Sequence, residues 1–187
     1  VIILISISVM LSGFFISPVE TYWQPAYTAL LPGEDLLFTV GLVSFGCFAF
    51  AALGSLFTKR FVLKSEKHLI NKYTASRLVL FAAFIVFSLQ KTPLGFAGTF
   101  LLVYFIFSGS GVIENTILNL HIPSGLRSSM LSFVSLIFQA GCMMSPLVST
   151  FTVSKAGING LWLYLGIGLF ISAALIGSLF IRLKKTL

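Results

Sequence analysis

Charged residues are scarce in this sequence. Asp, Glu, Lys and Arg make up 9% of its 187 residues, whereas soluble domains carry about 25%. Hydrophobic residues make up 57%, and the mean hydropathy is +1.04. A soluble domain of this length could not bury so much apolar surface, so the composition excludes one and indicates a chain embedded in lipid. In such a chain the net charge of +7 indicates how the protein is oriented in the membrane rather than that it binds nucleic acid.

Sites for metals, phosphates and covalent catalysis are also lacking. The two cysteines, Cys47 and Cys142, lie alone in separate apolar runs, and no C-x-x-C, H-E-x-x-H or phosphate-loop motif occurs. A Ser-Gly-Ser-Gly run at 108–111 with His121 suggests an intramembrane serine protease, but about 15 Å of helix separates the two groups. A nucleophile and its base must come within hydrogen-bond reach. The sequence therefore predicts no enzyme, no metal and no cofactor.

What the sequence does contain is a series of long apolar runs. A membrane-spanning helix needs roughly 20 apolar residues. Six runs approach or exceed that length and predict an all-α, polytopic membrane helix bundle with six transmembrane helices. The predicted spans are about 2–31, 36–58, 74–90, 94–120, 128–153 and 160–181.

The basic residues are distributed unevenly among the predicted loops. Two of the twelve, Lys91 and Lys155, lie on one side of the bundle together with Glu34 and Asp35. The other ten lie on the opposite side: Lys59, Arg60, Lys64, Lys67, Lys72, Arg77, Arg127, Arg182, Lys184 and Lys185. Cytoplasmic loops are enriched in Lys and Arg. The sequence therefore predicts a multi-pass protein of the cell membrane with both termini in the cytoplasm.

Three polar residues, Glu114, Asn115 and Asn119, interrupt the fourth apolar run. At about 100° per residue they fall on one half of a helix whose other half is apolar. Polar groups at membrane depth normally face a bundle interior or a wet cavity, which predicts a polar pathway here. Glu114 would lie about 9 Å above the cytoplasmic end of its span. It could pair with Arg127 as part of the framework or form an inner gate, while the two asparagines could line the pathway or join helices.

Glu20 is the second acid at membrane depth, about 15 Å from the outer end of the first span. Pro18 precedes it and predicts a bend, and discontinuous helices near the midplane carry the sites of many transporters. Glu20 is thus either a protonatable, cation-binding group in a cavity or an acid near the outer interface. Tyr22 and Gln24 follow it and are predicted to line the same cavity. Gln139, on a polar stripe of the fifth span, is predicted to face the pathway.

Two stretches and the six-span arrangement resemble the carboxy-terminal half of a major facilitator superfamily transporter. YWQPAYTALLPGEDLLFTVGLVSFGCFAFAALGSLFTKRF is similar to the seventh and eighth helices of bacterial drug-efflux-like members. IENTILNLHIPSGLRSSMLSFVSLIFQAGCMMSPLVS is similar to the tenth and eleventh. The family's cytoplasmic motif, G-x-L-a-D-r-x-G-r-k, matches at Gly54, Leu56 and Lys59, but Thr58 replaces the acid and Phe61 the second glycine.

The resemblance implies half of a twelve-span secondary transporter that exports small amphipathic compounds in exchange for protons. The implied partners are a small-molecule substrate, protons, the lipid bilayer and an amino-terminal six-helix half that shares the cavity. Because the sequence begins at Val1 without an initiator Met, we expect a piece of a longer protein. The alternative is a six-span structural or assembly subunit, in which the same polar groups only join helices.

Overall fold

A computed structural model of the chain describes residues 2–31, 36–64 and 68–186, and in these ranges it contains helices and no strand. The helices are α1 (Ile2–Thr28), α2 (Leu36–Phe57), a π-helical turn (Thr58–Val62), α3 (Leu69–Ser88), α4 (Pro93–His121), a 3-10 turn (Ser124–Leu126) and α5 (Arg127–Thr186). Glu34, Asp35 and Lys67, which entered the charge count, lie outside the described residues.

Five helices of the described chain are long and apolar enough to cross a membrane. This agrees with the predicted membrane helix bundle, because in lipid a helix satisfies its own backbone hydrogen bonds. The outward faces are apolar as well. Phe38, Phe45 and Phe48 of α2 and Met143 and Leu147 of α5 are among the large hydrophobic side chains left exposed. Such faces suit lipid and would be unfavourable in water.

The predicted fifth and sixth spans both lie on α5, which is a broken helix rather than two helices joined by a loop. Its helical geometry is interrupted at Gly157, with φ 70° and ψ 179°. Glycine adopts such a positive φ without the steric cost that a Cβ would bring. The first arm (127–156) and the second arm (158–186) of α5 correspond to the two predicted spans.

The first predicted span also differs from expectation, because α1 remains helical through Pro18 and Pro25. A proline removes one backbone donor, and in membrane helices neighbouring groups can satisfy the carbonyl that is freed. Next to the prolines, hydroxyls of the same helix make further bonds to carbonyls that the prolines do not free: Thr21 Oγ1 donates to Ser17 O at 2.9 Å and Thr28 Oγ1 to Gln24 O at 3.0 Å. α1 is therefore continuous in front of Glu20, and the discontinuous helix that Pro18 suggested is not formed.

Small residues set the closest helix crossings. A Cβ added at Gly141 of α5 would lie 1.9 Å from the Met10 carbonyl oxygen of α1, and one at Gly13 would lie 2.2 Å from the Phe138 carbonyl oxygen. α1 and the first arm of α5 thus touch backbone to backbone. A Cβ added at Gly54 of α2 would likewise lie 2.0 Å from the Phe105 carbonyl oxygen of α4. Glycine permits such approach in membrane bundles, where packing rather than hydrophobicity holds helices together.

Aromatic side chains fill one end of the bundle. Trp23 of α1 stacks on Phe100 of α4 with ring centroids 4.8 Å apart, and Phe87 of α3 lies 5.0 Å from Trp162 of α5. Phe96 lies 4.6 Å from Phe87 and joins the two pairs. This dry cluster ties α1, α3, α4 and the second arm of α5 together, and it leaves the polar groups to the other end of the bundle.

Gly141→Ala should destabilise the bundle because the new methyl group meets the α1 backbone, which cannot move aside as a side chain can. Overpacking of this kind costs about 1–3 kcal/mol. The measurement is thermal unfolding of the purified protein in detergent micelles. Gly98→Ala is the matched control, since its Cβ would meet nothing within 4 Å. Equal unfolding temperatures for the two variants would contradict the close crossing.

Candidate functional site

A buried ion pair joins α3 to α4. Arg77 Nη2 lies 3.2 Å from Glu114 Oε2, and the two residues are 5% and 6% exposed. Charges removed from water are strongly unfavourable unless they are paired and hydrogen-bonded. The pair therefore constrains every group around it.

Three more side chains complete the network around the ion pair. Tyr73, one turn before Arg77 on α3, accepts a hydrogen bond from Arg77 Nε at 2.9 Å and donates one to Glu114 Oε1 at 2.9 Å. From α1, Ser12 accepts from Arg77 Nη2, and Ser8 is hydrogen-bonded to the Tyr73 hydroxyl. Residues four apart share one helix face, which is why one pair from α1 and one pair from α3 can meet. The network connects three helices through side chains alone.

A cavity of about 280 Å³ borders the network between α1, α4 and the first arm of α5. Phe107 and Phe138 are among its apolar walls. Its polar lining consists of Ser12, Arg77, Glu114, Asn115 and Ser135. The space is roomy and polar enough to hold several water molecules. It can therefore hydrate the exposed edge of the ion pair or admit a small organic molecule with both apolar and polar groups.

The expected partner of Glu114, Arg127, is not its partner in the structure. Arg127 is exposed, and its Nη2 donates to the backbone carbonyl of Asn119 at 3.5 Å. Glu114 pairs with Arg77 instead. Arg77 was counted among the loop cations, but α3 begins at Leu69, so Arg77 lies two turns inside a helix and is buried. This removes it from the cytoplasmic charges.

The predicted site residues of α1 lie further along that helix than Ser8 and Ser12, which contact the ion-pair network. Glu20 is exposed and lies eight residues from Ser12, about 12 Å along the helix. It lies near Cys47, Tyr104 and Cys142, which belong to α2, α4 and α5. The carboxylate therefore faces the side of α1 on which those three helices stand.

The two neighbours of Glu20 in the prediction differ in exposure. Gln24 is exposed, whereas Tyr22 is half-buried with its hydroxyl 3.5 Å from Thr150 Oγ1 of α5. Neither residue lines the 280 Å³ cavity. They extend the polar surface of α1 past Glu20 rather than enclosing a pocket with Glu114.

Of the predicted residues on α4 and α5, Asn115 lines the cavity beside Glu114 and is exposed. Gln139 is exposed next to the cavity residue Phe138, and Asn119 is half-buried one turn beyond Asn115. The structure thus brings Glu114 and Asn115 together with Arg77, whereas Gln139 is not among the residues that line the cavity.

The groups named for the protease alternative make other bonds. Ser108 Oγ is hydrogen-bonded to Ser55 Oγ of α2 at 2.6 Å. His121 Nδ1 lies 2.8 Å from the Ile117 carbonyl oxygen of its own helix. The two residues therefore serve helix packing and the helix end in this structure, and no Ser–His contact is formed between them.

Ser8, Ser12, Tyr73 and Arg77 were missed as site residues. Tyr73 lay just outside the third predicted span, which began at 74, and Arg77 near its start was counted with the loop cations. A signal was present for Arg77. The segment from Leu69 to Arg77 contains no Gly or Pro, so the helix could have been extended backwards by a turn and a half. Tyr73 and Arg77 would then have stood four apart at membrane depth.

Removing one charge of the pair should harm the fold more than removing both. Arg77→Met or Glu114→Leu leaves an uncompensated buried charge, which costs about 3–5 kcal/mol, whereas the double variant should recover most of that loss. Thermal unfolding in micelles of the four proteins of the cycle measures the coupling. Arg127→Gln is the control and should change stability by less than about 0.5 kcal/mol. Strictly additive losses would show that the two charges do not depend on each other.

Comparison of the chain with protein-family models, with curated proteins and with solved structures finds no match. The function of the site must therefore be argued from its chemistry. That chemistry is a buried ion pair with a hydroxyl network on one side and a polar cavity on the other. A further acid, Glu20, lies along α1 on the side of α2, α4 and α5.

Proposed function

We propose that the chain is one half of a secondary active transporter that exports small amphipathic compounds in exchange for protons. The observation that carries this proposal is the cavity of about 280 Å³, whose wall includes the Arg77–Glu114 ion pair. A subunit held together only by inter-helix hydrogen bonds has no need of such a space at membrane depth. Ionisable groups inside a bundle are costly, and they mark solute or proton pathways by default.

In this proposal the chain crosses the cell membrane six times, as in the carboxy-terminal half of a major facilitator superfamily transporter. The break at Gly157 divides α5 into two arms of about 45 Å each, and each arm is long enough for a span. Six crossings put both termini in the cytoplasm, on the side of the basic turn at 58–64. The exposed polar residues Glu20, Gln24, Asn115 and Gln139 would then face an amino-terminal half across a shared cavity.

Each polar group has a separate role in the proposed mechanism. Glu20 exchanges a proton for the cationic part of the substrate, so that binding of one releases the other. Tyr22, Gln24, Asn115 and Gln139 line the route. Arg77 holds Glu114 as a fixed part of the framework, and Asn119 near the end of α4 and Arg127 at the start of α5 belong to its cytoplasmic end. The apolar walls Phe107 and Phe138 accept the hydrophobic body of the substrate.

If the route is wet, a cysteine at Asn115 or Gln24 should react with a charged, membrane-impermeant thiol reagent. The background variant replaces Cys47 and Cys142 with alanine. Leu136→Cys is the matched control, because Leu136 is 66% exposed on an apolar face and should lie in lipid, where the reagent does not penetrate. Reaction rates are followed by mass spectrometry of the protein in native membranes. Protection at both polar positions would favour a purely structural subunit.

Glu20→Gln should abolish proton-driven transport while the protein still folds, since this residue forms no ion pair within the described chain. Inverted membrane vesicles are prepared from cells that express the natural protein. A pH gradient is then applied, and the uptake of ethidium, an amphipathic cation, is followed by fluorescence. Glu66→Gln is the control, because Glu66 lies in the basic loop of the sequence. Unchanged, gradient-dependent uptake by Glu20→Gln would remove this acid from the mechanism.

A further inference from the structure

A second cavity lies between α1 and the two arms of α5. It measures about 240 Å³ and shares no lining residue with the 280 Å³ cavity. Phe14 and Phe15 of α1 and Leu161 and Leu165 of the second arm are among its apolar walls. The described residues that line it include no Asp, Glu, Lys, Arg or His. A charged occupant would therefore find no counter-charge there, which excludes ions and charged head groups.

The cavity opens on the outer surface of α5. Val148 of the first arm and Tyr164 of the second arm both line it, and they are 53% and 59% exposed. Their neighbours Leu147 and Leu163 are exposed as well. Because this surface is apolar and suits lipid, an occupant would enter from the bilayer and has to be soluble in it.

Ser145 of the first arm brings an unused hydroxyl to the cavity. The residue is 1% exposed and lines the space, and its Oγ makes no hydrogen bond with any described residue. Thr152, which also lines the cavity, instead donates to the Val148 carbonyl oxygen of its own helix at 2.8 Å. A buried polar group without a partner is costly. An occupant that hydrogen-bonds Ser145 would remove this cost.

α1 supplies an acceptor to the same space. Pro18 has no backbone N–H, so it cannot donate to the Phe14 carbonyl as the fourth residue along a helix normally does. Phe14 and Pro18 both line the cavity, and residues four apart share one helix face. The freed carbonyl and the Ser145 hydroxyl thus border one space. A ligand hydroxyl suits both groups, because it can donate and accept at once.

Size and shape restrict the occupant further. An apolar cavity of about 150 Å³ stays dry and binds benzene, so a cavity of about 240 Å³ has room for a substituted ring. The rings of Phe14 and Phe15 stand at 87° to each other, with centroids 5.5 Å apart, and offer both an edge and a face to an aromatic ligand. Water fills such a space poorly, because each molecule needs two to four polar partners.

We propose that this cavity binds a lipid-soluble phenol. The ring lies against Phe14 and Phe15, and the phenolic hydroxyl accepts a hydrogen bond from Ser145 Oγ and donates one to the Phe14 carbonyl. The ligand contacts α1 and both arms of α5 at once, on the two sides of the break at Gly157. The site does not depend on whether the protein transports a solute.

Two photoreactive probes test the proposal. One is a phenol with a trifluoromethyl diazirine on its ring, and the other carries a methyl group in place of the hydroxyl. The natural protein is reconstituted in phosphatidylcholine bilayers, illuminated with either probe and mapped by mass spectrometry. Both probes should label α1 and α5 around the cavity.

Ser145→Ala removes the hydroxyl and should leave the fold intact, since Ser145 Oγ bonds no described residue. The ratio of phenol to methyl labelling at the cavity should fall by about two- to tenfold in this variant, which is the effect of one hydrogen bond. Using the ratio cancels the unequal partition of the two probes into the bilayer. An unchanged ratio would overturn the proposal, because the cavity would then hold any apolar molecule, a lipid chain included.

Val148→Trp narrows the mouth of the cavity and should reduce labelling by both probes. Leu147→Trp is the matched control, because Leu147 is 79% exposed and does not line the cavity. Labelling that persists in Val148→Trp, or that both tryptophan variants reduce equally, would show that the probes bind elsewhere on the surface and would rule the site out.

Discussion

A guanidinium and a carboxylate that are both buried at membrane depth have to stay together, and the arrangement of α1, α3 and α4 follows from this requirement. Neither Arg77 nor Glu114 could be left alone without a cost comparable to much of a domain's stability. Tyr73, Ser8 and Ser12 satisfy further donors and acceptors of the pair. A shift of any of the three helices by one residue would separate these groups, so the network fixes the register of the bundle in a way that apolar packing alone would not.

The two ends of the bundle perform different physical tasks. At one end, Trp23, Phe87, Phe100 and Trp162 fill space with rings and exclude water. At the other end, short side chains at Ser12, Gly111 and Ser135 leave the space that becomes the polar cavity. Because these side chains are short, the charged groups can contact water or a solute without the bundle opening. α1, α3 and α4 contribute to both ends. The packed aromatic end therefore holds these helices in place around the cavity.

The sequence indicated the helical class and the approximate helix positions because composition and apolar length are local properties. It also singled out Glu114 and Asn115, which both line the cavity, since a carboxylate and an amide inside an apolar run are conspicuous. It did not identify the partner of Glu114, because which cation meets a buried acid depends on how distant helices pack. Arg77 stood near a basic loop and was assigned to it, while Arg127 stood near Glu114 in sequence and was assigned to the pair.

Its pairing with Arg77 makes Glu114 poorly suited to carry a proton. Protonation of Glu114 would leave the Arg77 guanidinium buried without its counter-charge, and breaking such a pair costs about 3–5 kcal/mol. Glu20 has no ion-pair partner among the described residues, and it is exposed on the face toward α2, α4 and α5. It can therefore change its protonation state, or exchange a proton for a cation, with little effect on helix packing. In the mechanism that we propose, the fixed charge pair maintains the bundle and Glu20 carries the proton.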